Sequence, residues 1–282
     1  MRRSELLFTY HVPAHRFQKF LNDVGIPGDN LAEINAALQQ RFFQKKPGTN
    51  EPLERWELGA VKVSCPPARF LRHLKLCGFA DATIPQNWDY TYAAWPGALL
   101  VRAVARLIDL ADAWESGVRW KETIVLGGKR PLQQDKETTQ AAIALMGRYY
   151  YPATSRPLGE TELDMMRWLW ANCMLPPGLQ DTRVVFVDAP MKPPATPGGQ
   201  PVRPNTEDTV QEWLKSKPVS TNILLSSGAP YGMAQGEALW RLLVVHGIGV
   251  ETFGHAAPDL PPEVFMREVA GTVYQITQSR AS

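Results

Sequence analysis

The sequence predicts an α/β protein: a doubly wound, Rossmann-like parallel sheet of about five strands with an N-terminal helical extension. From Trp88 onward, short apolar runs alternate with longer runs whose apolar residues recur every three or four positions. The short runs are apolar at nearly every position, as strands buried on both faces require. Glycine, serine and charged residues follow each of them, which is where an open parallel sheet places its ligand.

Residues 1–85 form the expected helical extension packed on the core, and residues 86–282 the α/β domain. In the first part, Ala14–Val24 and Asn30–Gln44 carry apolar positions at helical spacing. Gly25 to Asn30 turns the chain between them, and Asn30 with Glu33 three residues later has the form of a capping box. Lys45 to Pro52 reads as a loop, and Pro66 to Gly78 as a helix bearing Phe70, Leu71, Leu74 and Leu76. In the second part the expected strands are Asp89–Ala94, Thr123–Leu126, Arg183–Val187, Asn222–Leu225 and Gly249–Phe253. Between them fall the expected helices Leu99–Glu115, Glu160–Cys173, Thr206–Lys215 and Met233–Val245. An insertion, residues 131–158, contains a further helix near Glu137–Arg148, and Pro190–Pro204 is a Pro/Gly-rich loop.

A chain of 282 residues, 44% hydrophobic and 21% charged, has the composition of a folded globular protein and not of a disordered or collagen-like one. The most apolar stretch, Ala93 to Leu110, is interrupted by Arg102 and Arg106, and Leu6–Tyr10 is too short for a secretory leader, so a cytoplasmic protein without a membrane partner is expected. Thirty basic residues against 28 acidic ones leave a formal charge of +2, which gives no reason to expect nucleic acid. Cys65, Cys77 and Cys173 lack metal-ligand spacing and read as buried free thiols; Pro13 between His11 and His15 argues against a helical pair of metal ligands. No metal is expected. The tryptophans Trp168, Trp170, Trp213 and Trp240 sit at helical positions and read as packing.

The strand ends carry the candidate chemistry. Ala94-Trp95-Pro96-Gly97 follows the first strand, Gly127-Gly128-Lys129-Arg130 the second, Asp188 the third, Ser226-Ser227-Gly228-Ala229-Pro230-Tyr231-Gly232 the fourth and Gly254-His255 the fifth. Glycines admit close backbone approach to a ligand, helix N-termini add partial positive charge, and Lys129 and Arg130 add formal charge. The same Gly-Gly could equally only turn the chain before a solvated Lys-Arg pair.

The order of these motifs resembles the SanA, ElyC and YdcF type of bacterial proteins. Arg102 stands for the family's early helical Arg, Ile124-Val125-Leu126-Gly127-Gly128 for its glycine strand, Gly159-Glu160-Thr161-Glu162 for its Glu segment, and Arg203-Pro204-Asn205-Thr206-Glu207-Asp208-Thr209 for its Asn-Thr segment. The resemblance covers about residues 88 to 258. Departures accompany it: neither the His nor the Arg usual after the fourth strand follows Ser226-Ser227, and Asp208-Thr209 replaces the usual Glu-Asn. The organisation is most similar to the YdcF branch, which implies a crevice for a nucleotide-like ligand, S-adenosylmethionine by resemblance, and a transferase as one outcome. The resemblance and the strand-end positions together nominate Gly127, Gly128, Lys129, Arg130, Arg102, Asn205, Thr206, Ser226, Ser227 and Tyr231 for binding, and Glu162 and Asp188 for proton handling.

Two other readings stay open: a hydrolase or transferase on a phosphorylated or carbohydrate-derived substrate, and a non-catalytic scaffold. A homo-oligomer also stays open. Each residue has a structural alternative: Glu162 as a first-turn carboxylate, Asn205 as an N-cap, Arg102 as an ion-pair partner, Asp188 as a solvated strand end and His255 as a loop residue. Arg148 and Tyr149-Tyr150-Tyr151 either close over a flat ring or form a satellite cluster.

Overall fold

The computed structural model describes residues 3–43, 63–153, 156–194, 198–199 and 201–281. The expected loop Lys45–Pro52 lies outside them. The chain divides into two compact units, one of residues 1–83, 228–238 and 255–282, the other of residues 84–227 and 239–254.

The second unit holds the sheet. Its strands are β3 (Asp89–Pro96), β4 (Arg119–Gly128), β5 (Arg183–Ala189), β6 (Asn222–Ser226) and β7 (Gly249–Phe253), in the order β5-β4-β3-β6-β7. All neighbouring pairs are parallel. The sheet is therefore the doubly wound, Rossmann-like one the sequence predicts. β4 starts four residues before the expected Thr123, because Arg119 and Trp120 already pair with Asp89 and Tyr90. The charges of Arg119, Lys121 and Glu122 conceal this in the sequence, yet Trp120 is buried.

Side chains alternate across the strands, and each face has its own cover. Ala93, Trp95, Val125 and Leu224 point toward α4 (Leu100–Glu115) and α6 (Glu162–Asn172), meeting Ala103, Leu107, Leu163, Met166 and Leu169. Tyr92, Ala94, Ile124, Leu126, Ile223 and Leu225 point the other way, onto Val210 and Trp213 of α7 (Thr206–Leu214) and onto Leu239 and Leu243 at the end of α8 (Gly232–Leu243). Trp95 is fully buried, with its indole N–H donated to the Ala103 carbonyl at 3.0 Å, so its large apolar surface leaves no orphan donor. The insertion contributes α5 (Thr139–Met146), and its Tyr150 stacks on Trp168 while the Tyr149 hydroxyl reaches Asp112. These tyrosines form a satellite of the core.

The first unit is helical, with a short hairpin of β1 (Phe8–Thr9) and β2 (Val12–Pro13) that the sequence reading missed. α1 (His15–Asp23), α2 (Leu31–Phe42) and α3 (Pro67–Leu76) match the expected helices. Asn30 caps α2 through the Glu33 amide, while the Glu33 carboxylate turns back to the Asp29 amide. Their apolar faces meet Phe265, Met266, Val269, Val273 and Ile276 of a C-terminal helix, α9 (Pro262–Ala281). A boundary drawn at residue 85 separates these partners, because the sequence reading follows chain order and the core joins the two chain ends. Asp23 links α1 to α3, accepting from Arg69 at 2.7 Å and bonding His73 at 2.6 Å.

Two strand glycines have opposite surroundings, which gives a paired test. A Cβ on Gly127 would lie 2.7 Å from Leu163 Cδ1 and 3.3 Å from the Leu163 backbone, whereas one on Gly249 would meet only the Thr221 carbonyl at 3.9 Å. Gly127→Ala should cost about 1–3 kcal/mol through displacement of α6, and Gly249→Ala should stay within about 0.5 kcal/mol of the parent. Urea denaturation measures both; equal effects would contradict the close approach of α6.

Candidate functional site

The chain runs from β3 to β4 and β5 on one side of the sheet, then crosses to β6 and β7 on the other. The connections from β3 and into β6 therefore lie on opposite faces, and the carboxyl ends of these neighbours form the switch point at which doubly wound sheets open a crevice. Among the residues at this edge, Arg106 spans the switch point. It is 3% exposed, donates through Nη1 to the carbonyls of Pro96 (2.9 Å) and Gly97 (3.1 Å), and reaches Ser227 Oγ through Nη2 at 3.4 Å. Ser226 Oγ donates to the Arg106 carbonyl at 2.9 Å. Both serines are thus buried within the scaffold of the edge. The arginine that joins β3 to β6 is thus Arg106; Arg102, nominated for ligand binding, lies one turn earlier on α4 and is half-buried. A signal for Arg106 exists: a charge on the apolar stripe of Ala103, Leu107 and Leu110.

Beside the switch point lies a buried cluster of one cation and two anions. The two ends of the insertion pair as a short antiparallel bridge, with Glu162 N–H donating to the Arg130 carbonyl at 2.8 Å and Leu132 N–H to the Glu160 carbonyl at 2.9 Å. This pairing sets Arg130 next to Glu162. The Arg130 fork bonds Glu137 bidentately, Nη1 to Oε2 at 2.7 Å and Nη2 to Oε1 at 2.9 Å, and its Nε donates to Glu162 Oε1 at 3.2 Å. Glu137, expected at a helix start, is instead a buried counter-ion that also accepts from the Gln133 and Leu100 amides at 2.7 and 3.1 Å.

Glu162 is the first residue of α6, presented by a Thr161–Asp164 capping box. Its carboxylate lies against Gly97, and a Cβ on that glycine would collide with Oε2. The absence of a side chain at Gly97 therefore lets the carboxylate reach the end of β3. Oε2 has no hydrogen-bond partner among the described residues, and the side chain keeps 13% of its surface exposed. Burial pushes the Glu162 carboxyl above its ordinary range, and Glu137 adds to this against the pull of Arg130 and Arg203. Burial alone would raise Glu137 too; the Arg130 bonds and the two amides outweigh it and hold Glu137 low. Glu162 is thus the carboxyl of the pair suited to exchanging a proton with a ligand.

The other nominated residues fall into three groups. Gly127 and Gly128 end β4, with Gly127 against Leu163 and Gly128 against Pro204, whose Cγ would lie 2.5 Å from an added Cβ; neither has positive φ. Both therefore serve helix and loop packing at the strand end. Lys129 and Asp188 are exposed and face each other at 3.8 Å. Asn205 caps α7, bonding the Asp208 amide at 3.0 Å, while Asp208 binds the Asn205 amide and Lys192, each at 2.7 Å; Thr206 begins that helix. Because α6 and α7 cover opposite faces, Glu162 and Asn205 do not share a face. Tyr231 is buried in the helical unit, with its amide bonded to the Gly228 carbonyl at 3.1 Å; His255 in the same unit accepts from the Ala229 amide through its carbonyl. The thiols of Cys77 and Cys173 are buried and pushed up to about 12. Among the described residues no group of three or more His, Cys, Asp or Glu is disposed to hold a metal, and no helix is long and apolar enough to cross a membrane.

No protein-family model, curated protein or solved structure matches the chain.

Two predictions test that geometry. Gly97→Ala should leave the protein folded and drive the Glu162 carboxylate from the end of β3, since the colliding atom ends a flexible side chain. A crystal structure of the variant with Glu162 unmoved would contradict this. The pH dependence has a fixed sign: Glu162 binds its proton more tightly in the folded than in the unfolded state, so its contribution is present below the ordinary carboxyl range and is lost as pH rises through the raised one. Glu162→Gln, which cannot ionise, should gain stability relative to the parent as urea denaturation is repeated from about pH 4 to about pH 8. A difference independent of pH would count against the raised value.

Proposed function

We propose that the chain is a small-molecule-binding protein of the SanA, ElyC and YdcF type, with its ligand at the carboxyl edge of the sheet between the ends of β3, β4 and β6. The ligand is nucleoside-like, and S-adenosylmethionine is the candidate. The observation that carries this reading is the Glu162 carboxylate, held at the end of β3 beside the switch point with Oε2 lacking a partner among the described residues. An acceptor in that setting suits a ribose hydroxyl or a positive centre, and S-adenosylmethionine has both. Bound there, S-adenosylmethionine would supply an electrophilic methyl group for transfer. This chain would contribute the Glu162 acceptor, a carboxyl able to hold a proton.

Thermal-shift measurement against S-adenosylmethionine, adenosine and sugar phosphates tests the proposal. A ligand at about 100 times its Kd stabilises the native state by about 2.7 kcal/mol, and the nucleosides should do so for the parent protein. Glu162→Gln should weaken that response by about tenfold in Kd, equivalent to about 1.4 kcal/mol. A parent protein indifferent to both nucleosides at saturating concentration would sink the reading.

A further inference from the structure

We infer that Arg130 and Glu137 are a positioning pair, which keeps Glu162 Oε2 open for a hydroxyl-bearing or cationic ligand and leaves this arginine no donor for a phosphate. The inference rests on the binding site proposed above and sets its ligand class.

A guanidinium has five N–H donors in a fixed fork. In Arg130, Nε donates to Glu162 Oε1 at 3.2 Å; Nη1 to Glu137 Oε2 at 2.7 Å and to the Pro131 carbonyl at 3.0 Å; and Nη2 to Glu137 Oε1 at 2.9 Å and to the Ala98 carbonyl at 3.3 Å. Every donor has an acceptor. An incoming phosphate would have to displace one of them, leaving a buried carboxylate or carbonyl unpaired. The Gly-Gly-Lys-Arg sequence therefore has the composition of an anion cradle without the arrangement of one. Its lysine is turned to Asp188.

Glu137 decides which way the fork points. Two parallel bonds to one carboxylate are the strong mode of arginine pairing, and Glu137 takes that mode, leaving Glu162 a single bond from Nε. Without the Glu137 charge, the better partner for two donors becomes Glu162, and a bidentate grip on it would cover Oε2. Glu137 thus keeps the guanidinium off the oxygen that the ligand needs, and the amides of Leu100 and Gln133 hold Glu137 itself in place.

The test compares the parent protein with Glu137→Gln and Arg130→Lys, each checked for folding by circular dichroism. The probes are S-adenosylmethionine, adenosine and inorganic phosphate. Alongside, the ligand-free Glu162 carboxyl is titrated by carbon NMR, with its resonance assigned from its loss in Glu162→Gln. The parent should respond to the nucleosides and not to phosphate. Glu137→Gln should bind the nucleosides about tenfold more weakly, and its crystal structure should show the Arg130 fork on both Glu162 oxygens, a movement that loss of the Glu137 charge alone would not require; its Glu162 should also titrate at lower pH than in the parent. Arg130→Lys keeps the charge and loses the fork, and should also bind more weakly; if it fails to fold, Glu137→Gln carries the test. A folded Glu137→Gln whose Arg130 leaves Oε2 uncovered overturns the positioning pair. Stabilisation of the parent by phosphate in competition with adenosine overturns the ligand class. A covered Oε2 in Glu137→Gln with no nucleoside response in the parent overturns the binding site and leaves the positioning pair standing.

Discussion

Burial of the sheet on both faces is the constraint from which the arrangement of this protein's polar groups follows. Ala93 and Trp95 need α4 and α6; Ala94, Ile124 and Leu126 need α7 and the end of α8. Each large side chain taken from water this way contributes about 1.5–3 kcal/mol, so no charge can sit on either face without forfeiting such a contact. Buried charge gathers at the sheet ends, where backbone groups leave the ladder, while Glu251 stands within the edge strand β7 and accepts from the Tyr90 hydroxyl. At the carboxyl edge the covering helices begin, and their first residues must come within van der Waals distance of the strand ends. Gly127 and Gly128 permit this for Leu163 and Pro204, and Gly97 permits it for Glu162.

The same confinement explains why the edge carries a buried ion cluster. Removing the Arg130 guanidinium from water costs several kcal/mol unless its donors are all met, and Glu137 with the carbonyls of Ala98 and Pro131 meets most of them. The Arg130 charge then serves two carboxylates, with Arg203 adding its pull on Glu162. Glu137, with four hydrogen bonds, stays ionised; Glu162, with one, bears the cost of burial and is pushed up. Two glutamates beside one arginine thus acquire different chemistry from the number of donors each receives.

The helical unit solves a different problem. α1, α2 and α3 are too short to be stable alone in water, and their apolar faces close over α9 from the other end of the chain. Phe17, Phe20, Phe70 and Phe265 make a connected set of ring contacts, with Phe8 against Phe17 at 5.3 Å and Phe70 against Phe265 at 6.4 Å. The Asp23 carboxyl at the rim of this core is lowered by the His73 and Arg69 groups that bond it, against the cost of desolvation, which ties α1 to α3 by charge as well as by packing.

What the sequence determined alone is what depends on neighbours in the chain. The apolar runs at Asp89, Thr123, Arg183, Asn222 and Gly249 became strands, and the caps at Asn30 and Asn205 bond amides three residues away, because pleat alternation and capping act over a few residues. Tertiary structure decided the rest. Arg106 was chosen over Arg102 by which turn of α4 faces the ends of β3 and β6; Glu137 became the partner of Arg130, and Gly97 the neighbour of Glu162, through folding of an insertion whose ends pair. The C-terminal helix joined the N-terminal ones because a core is closed by whatever apolar face is near in space. Those relations have no periodicity in the chain, since hydrogen bonds and contacts are set by distance between atoms and not by separation in sequence.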